Sequence, residues 1–170
     1  MNTTSGQTVA RELLILCLNT SSTSTPTWSP VGKRVTESDV EYNWNDSTEQ
    51  DILGDTYTQM RKPIMKESFD TYYPDSGDAA GVAIINDAVV NHDAQALCNK
   101  DVLLVHAYLG TAAAPWVERY PSSAIKPTKL GGEGGGNLVM AFDVTFGGTR
   151  TTGTAARNAT TGVITFPTSG

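Results

Sequence analysis

The residues of this chain that could do chemistry are few, and their spacing suits none of the common reactions. There are two histidines, His92 and His106. A metal centre needs several His, Cys, Asp or Glu ligands at short, defined intervals. His92-Asp93 has no second histidine near it, and His106 sits in an apolar run, so both read as ordinary surface or core residues. A serine nucleophile would announce itself as Gly-x-Ser-x-Gly, which is absent. The two cysteines, Cys17 and Cys98, each lie in an apolar stretch without a nearby base, and both are expected to be small core residues. The run Gly131-Gly132-Glu133-Gly134-Gly135-Gly136 has the look of a phosphate cradle. It lacks the Gly-Lys-Ser/Thr ending and leads into a strand, not a helix N-terminus. It reads as a flexible connection and, because ordering glycines costs entropy, as a candidate contact loop between subunits. Carboxylates are plentiful at Asp39, Glu41, Asp46, Glu49, Asp51 and Asp55. A glycosidase needs two carboxyls across a cleft, one of them buried, and a calcium loop needs the DxDxDG spacing with a distal Glu. These acids lie in polar, loop-like sequence, where they stay ionised and solvated. The expectation is a protein without enzymatic activity, cofactor or metal.

Composition agrees with a structural role. At 170 residues, one domain is expected, large enough for a core without disulfides. Hydrophobic residues make up 39% and charged residues 18%, with Thr occurring 23 times; β-branched, half-exposed positions of that kind favour strands. The net charge of −6 and pI of about 4.8 argue against a free-standing nucleic-acid binder, which needs a dense basic surface. The charge is also segregated. Glu37 to Asp78 holds eleven acids and three bases, net −8, whereas Arg119 onward holds five bases and two acids, net +3. Unlike patches on one molecule meet on a neighbouring copy, which points to head-to-tail attraction as well as to a solvated acidic face. No secretory signal or membrane span is recognisable, so synthesis in a reducing cytoplasm is expected, with the sequons at Asn2, Asn19, Asn45 and Asn158 as chance products.

The elements that must position these residues are mostly strands. Residues 1–9 form a polar arm, and Arg11 to Leu18 is an apolar run of strand length buried on both faces. Pro30 confines its segment to an edge or a strand end. Val40, Tyr42 and Trp44 alternate with polar residues, the period of a half-buried strand. Tyr57 to Phe69 reads as a strand, because Pro63 forbids a helix interior. Tyr72 to Asp78 is a turn rich in helix N-caps, and a helix follows from Asp78 to about Asn91, extending towards Leu97, with Val82, Ile85, Val89 and Ala96 as its apolar stripe. Lys100 to Gly110 is the strongest strand. Trp116 to Ala124 and Leu138 to Phe146 are two more, and residues 149–167 form a C-terminal hairpin turning through Asn158 to Gly162. The fold class is mainly β (α+β), an antiparallel sandwich or barrel with one flanking α-helix.

The order of these features carries a family resemblance over most of the chain. Val31-Gly32-Lys33-Arg34-Val35 leads into Val40-Glu41-Tyr42-Asn43, then an acidic stretch ending Asp51-Ile52-Leu53-Gly54-Asp55, then the turn, the helix and the strand Val102 to Tyr108. The chain closes with Phe142-Asp143-Val144-Thr145-Phe146-Gly147-Gly148 and the strand Gly162 to Phe166. This order resembles the major tail protein of siphophages infecting Gram-positive bacteria. The resemblance implies a tail-tube subunit of the virion tail, made in the host bacterial cytoplasm. Copies of the chain form hexameric rings, and the rings stack into a tube through which DNA passes only as cargo. It further implies tape-measure, tail-terminator and baseplate proteins as partners, with no membrane involved. The acids from Asp39 to Asp55 then become candidates for the lumen or for an inter-ring loop. Two alternatives stay open: another virion component, such as a capsid decoration or head–tail completion protein, and a secreted β-sandwich carbohydrate-binding module, suggested by Trp28, Trp44 and Trp116, six tyrosines and the sequons.

Overall fold

Strand follows strand through most of the computed structural model, which describes residues 5–166; the first four residues of the expected N-terminal arm and the last residue of the expected C-terminal hairpin lie outside it. The first strands are β1 (Leu14–Asn19), β2 (Trp28–Pro30), β3 (Asp39–Asn43), β4 (Ser47–Gln50), β5 (Thr56–Gln59) and β6 (Ile64–Tyr72). Two short helices follow, α1 (Ala79–Ile85) and α2 (Ala94–Cys98), joined by a π-helical turn at Asn86–Val90. The remaining strands are β7 (Lys100–Gly110), β8 (Pro115–Gly131), β9 (Val139–Thr145), β10 (Thr151–Thr154), β11 (Ala156–Arg157) and β12 (Ile164–Thr165). Every strand pairing is antiparallel. The mainly β, helix-flanked architecture expected from the sequence is the one observed.

Two bodies share β8. In the first, strands run in the order β11-β12-β2-β1-β7-β8, and β10 returns to pair with the opposite edge of β8. The circuit closes because the Ala155 N–H donates to the Pro115 carbonyl at 2.9 Å and the Arg157 N–H to the Ala113 carbonyl at 3.0 Å. The result is a small barrel filled by Cys17, Trp28, Leu103, Val105, Val117, Ala155 and Ile164. Gly153 faces this interior: a Cβ there would come within 2.9 Å of the Phe166 ring, so the residue's size is fixed by packing. The second body is the sheet β8-β9-β6-β3, which uses the C-terminal half of β8. It packs across the outside of the barrel, burying Leu16, Leu104, Phe69, Phe142, Val144 and Ile84 in the main core.

The sequence is read correctly where apolar content is dense, as in β7, and differently elsewhere. The apolar run at 11–18 begins with a single 3₁₀ turn at Arg11–Leu13 before β1. The Tyr57 to Phe69 segment is two strands, broken between Gln59 and Ile64 around Pro63. The C-terminal hairpin divides: β10 joins β8, and only β11 and β12 pair across the Asn158–Gly162 turn. There the Asn158 side chain accepts from the N–H groups of Thr160 and Thr161, and Gly162 takes φ +71°. The expected helical stripe is also displaced. Val82 and Val89 are exposed, and α1 buries Ala80, Gly81 and Ile84 instead. The cause is close approach: a Cβ on Gly81 would lie 1.7 Å from the Tyr72 hydroxyl oxygen, so small residues let the helix sit against β6. Cys98, expected in the core, is exposed, because it ends a short helix from which only Ala96 and Leu97 are partly covered; Cys17 is buried, and burial pushes its thiol up to about 12.

α1 is held by one buried polar unit. The Asp78 carboxylate caps the helix by accepting from the N–H groups of Ala80 and Gly81, and it accepts the Tyr72 hydroxyl proton at 2.6 Å. Gly81→Ala should therefore push Tyr72 off this carboxylate and lift the helix, lowering stability by about 1–3 kcal/mol. Urea midpoints of the variant and parent measure the loss, and an unchanged midpoint would contradict the close packing described.

Candidate assembly surface

The six acids singled out from the sequence do not converge on one site. Asp39 and Glu41 lie on β3, at the free edge of the second sheet. Their side chains share its outer face, in rungs that run Asp39, Ser68, Asp143, Lys126 and Glu41, Lys66, Thr145, Ala124. This face is balanced rather than uniformly acidic: Lys66 pairs with Asp143 at 3.0 Å. Burial pushes the Asp143 carboxyl up, but hydrogen bonds from Lys66 and Ser68 outweigh it and hold the group below the usual carboxylate range.

Asp46, Glu49, Asp51 and Asp55 belong to a different structure, a β-ribbon arm made of β4 and β5 that stands off the sheet beyond β3 and β6. Every residue from Glu41 to Lys62 is exposed. The stem is tied by the Arg61 N–H donating to the Trp44 carbonyl at 3.1 Å, and the ribbon by Thr48 to Thr58 and Tyr57 to Glu49 side-chain hydrogen bonds. Its tip is a built turn. The Asp51 carboxylate accepts from the N–H groups of Leu53 and Asp55 at 2.8 and 3.0 Å, the Gln50 amide reaches the Gly54 carbonyl, and Gly54 takes φ +89°. Asp51 thus shapes the turn, and the turn presents Ile52 and Leu53 at 101% and 83% exposure. Tyr42 and Trp44, expected to be half-buried, are exposed as well, because β3 is an edge strand that runs past the end of its sheet. Their rings stack at 6.2 Å with 15° between planes.

At the base of the arm the two bodies part, leaving a cleft of about 640 Å³. Tyr42, Trp44, Ile64, Met65 and Phe146 form its apolar walls, and Lys62 and Arg150 also line it. A buried polar network built on Glu118 makes the floor. Glu118 accepts from His106 Nε2 at 3.0 Å, from Arg150 Nε at 2.7 Å and from the Tyr120 hydroxyl, and the Tyr108 hydroxyl lies 2.6 Å from His106 Nδ1. The carboxylate can only accept, so His106 carries a proton on Nε2 and turns Nδ1 towards the Tyr108 hydroxyl. Burial pushes the Glu118 carboxyl up, but the hydrogen bonds from His106, Arg150 and Tyr120 outweigh it and hold the group at about 2. Nothing in the sequence marks this network, since its members are ordinary polar residues that meet across β7 and β8. The structure brings them together because His106 and Trp116 are register partners, with Glu118 next on the same face.

The sheet's other end is the C-terminal half of β8, which has β9 as its only strand partner among the described residues, touches α2, and carries Lys126 and Lys129. Pro127 removes one donor from it. Gly131 to Gly136 is the connection between β8 and β9, closed by the Gly136 N–H on the Glu133 carbonyl at 3.0 Å. Gly135 takes φ +79°, and a Cβ on Gly132 would lie 2.4 Å from the Asn137 carbonyl oxygen, so the run has a local steric reason. Among the described residues no cluster of three or more His, Cys, Asp or Glu could hold a metal, and no helix is long and apolar enough to cross a membrane.

No family model and no curated protein matches the chain. Solved structures similar to it include the tube-terminating cap of the anti-feeding prophage, at 13% identity over 91% of this chain and 97% of that one, with a TM-score of 0.49. Two more come from an extracellular contractile injection system (PVC) in its extended state. They are a sheath/tube terminator (10% identity, 88% of this chain, 99% of that one, TM-score 0.48) and a chain of the sheath–tube complex (7%, 88%, 93%, TM-score 0.46). These are a tube-terminating cap, a sheath/tube terminator and a component of a sheath–tube complex, and none is a siphophage tail protein.

The Glu118 network makes two linked expectations. Glu118→Ala leaves Arg150 and Tyr120 without their acceptor beside a buried histidine, and should cost about 3–5 kcal/mol in chemical denaturation. Because the folded carboxyl lies below its ordinary value of 4.5, its contribution is fully present above that value and is lost as pH falls towards about 2. The acid limb of the parent's stability curve should flatten in the variant; an identical limb would remove Glu118 as its source.

Proposed function

We propose that this chain is a structural subunit, without catalytic activity, that assembles with copies of itself into a tail-type tube. The observation that carries this reading is the arm: a contiguous exposed segment from Glu41 to Lys62, ordered by its own hydrogen bonds and tipped with bare aliphatic side chains. An isolated two-stranded ribbon is marginal in water, and exposed strand edges are normally blunted or paired. Among the described residues the second sheet leaves two edges without a strand partner, acidic at β3 through Asp39 and Glu41 and basic at β8 through Lys126 and Lys129. Joining unlike edges is a heterologous contact, and it closes into a ring when the rotation permits.

The finer reading follows the sequence resemblance. Six copies form a ring by joining β3 to the β8 edge of the next copy, and the polar face of β8-β9-β6-β3 lines the bore. Rings stack through the arms, and the tube passes DNA without holding it, because Asp39, Glu41 and Asp143 limit the attraction of Lys66 and Lys126 for phosphate. In this setting the subunit is made in the host bacterial cytoplasm and resides in the virion tail. The tape measure, tail terminator and baseplate are its neighbours there, and Gly131 to Gly136 is a further contact loop.

Negative-stain microscopy and sedimentation of the purified chain at rising concentration test the reading. Rings or tubes are the expected result, and persistent monomers at every salt and concentration would overturn it. Replacing residues 45–60 by a two-residue glycine turn should leave the β3–β6 pairing and the circular dichroism spectrum intact while abolishing stacking.

A further inference from the structure

We infer that the Ile52–Leu53 tip of one copy seats in the cleft between the two bodies of the next, an inference that rests on the self-assembling reading above. The two features fit in chemistry. The tip offers the most exposed large aliphatic side chains among the described residues. The cleft is walled by Tyr42, Trp44, Ile64, Met65 and Phe146, with about 640 Å³ of room for them. Charge matches as well. Residues 46–60 of the arm hold four acids, Asp46, Glu49, Asp51 and Asp55, and no base. The cleft is lined by Lys62, which is exposed, and by Arg150, whose charge is already met by Glu118 on the floor, so Lys62 is the cation the cleft offers. Acids flanking an apolar anchor and a cation beside its receptor give orientation as well as attraction.

Geometry assigns the occupant to a second copy. The cleft lies at the foot of the molecule's own arm, and Trp44 to Ile52 spans roughly 25 Å of extended ribbon, so a chain cannot seat its own tip. The contact is also not self-complementary, since tip and cleft are different surfaces. Two copies therefore leave one tip and one cleft unused, and the contact propagates head to tail. The tip needs no reorganisation to bind, because Asp51, Gln50 and Gly54 already fix its turn.

Paired cysteines test this. In a Cys98→Ser background, which removes the exposed native thiol, Leu53→Cys is combined with Thr149→Cys, a position lining the cleft. Mild oxidation of assembled protein should give a ladder of covalent oligomers. A mixture of the two single variants should stop at covalent dimers. Rings or tubes that form normally but yield neither product would overturn this inference and leave the self-assembling reading standing. A Cys98→Ser chain that never assembles would overturn both. As an independent check, Asp55→Lys should raise the concentration needed for assembly several-fold, and Lys62→Glu in the same chain should lower it again; failure of the second change to restore assembly counts against the charged half of the contact.

Discussion

β8 belongs to both halves of the molecule, and nearly everything else follows from that. Its first half closes the barrel through β7 on one side and β10 on the other; its second half starts the sheet that carries β9, β6 and β3. A strand has two faces and period two. Val117 therefore points into the barrel while Glu118 and Tyr120 point to the space between the bodies. The main core exists because the strand bends and brings its second half over the outside of the barrel. The cleft is what remains where the two bodies diverge. Glu118 is located at that divergence, where apolar packing gives out and a hydrogen-bonded charge takes over.

This arrangement explains why the protein can carry so much exposed chain. Among the described residues the barrel closes where β10 and β11 return to β8, which covers the strand edge there. The second sheet is anchored on one face by the main core. Its last strand, β3, can then run past the sheet and hold an arm that contributes little to the fold. In free-energy terms the arm is a surcharge on the monomer, offset only where its surface is covered.

Legibility in the sequence tracks apolar density. β7 is readable to both ends because its middle, Val102 to Ala107, is an unbroken run buried on both faces, with partly covered residues on either side. The helix is readable in position and cap, through Asp78, but not in its buried face: the pattern puts large apolar residues inward, whereas Ala80 and Gly81 lie there because Tyr72 leaves no room for more. β3 illustrates another limit. Alternation at Val40, Tyr42 and Trp44 revealed the strand and its apolar face, but periodicity cannot tell whether a covering layer exists. The acidic segment was readable as unusual, though it belongs to two places, a sheet face and an arm. The Glu118 network and the closure by β10 to β12 depend on contacts between distant segments, for which local pattern holds no information.

The barrel also has a consequence for timing. β1 pairs with β7, some ninety residues later, and β2 is joined by β12 near residue 164. Pairings of such long sequence separation are slow, since loop closure precedes any reward from contact. During synthesis the ribbon of β4 and β5 can form early and locally, but the cleft it would visit has no floor until β8 emerges and no far wall until Phe146 and Arg150 follow. In the tip-in-cleft contact proposed above, a growing chain displays its hook well before it owns an eye, and the order of synthesis then disfavours premature linkage between nascent neighbours on one messenger.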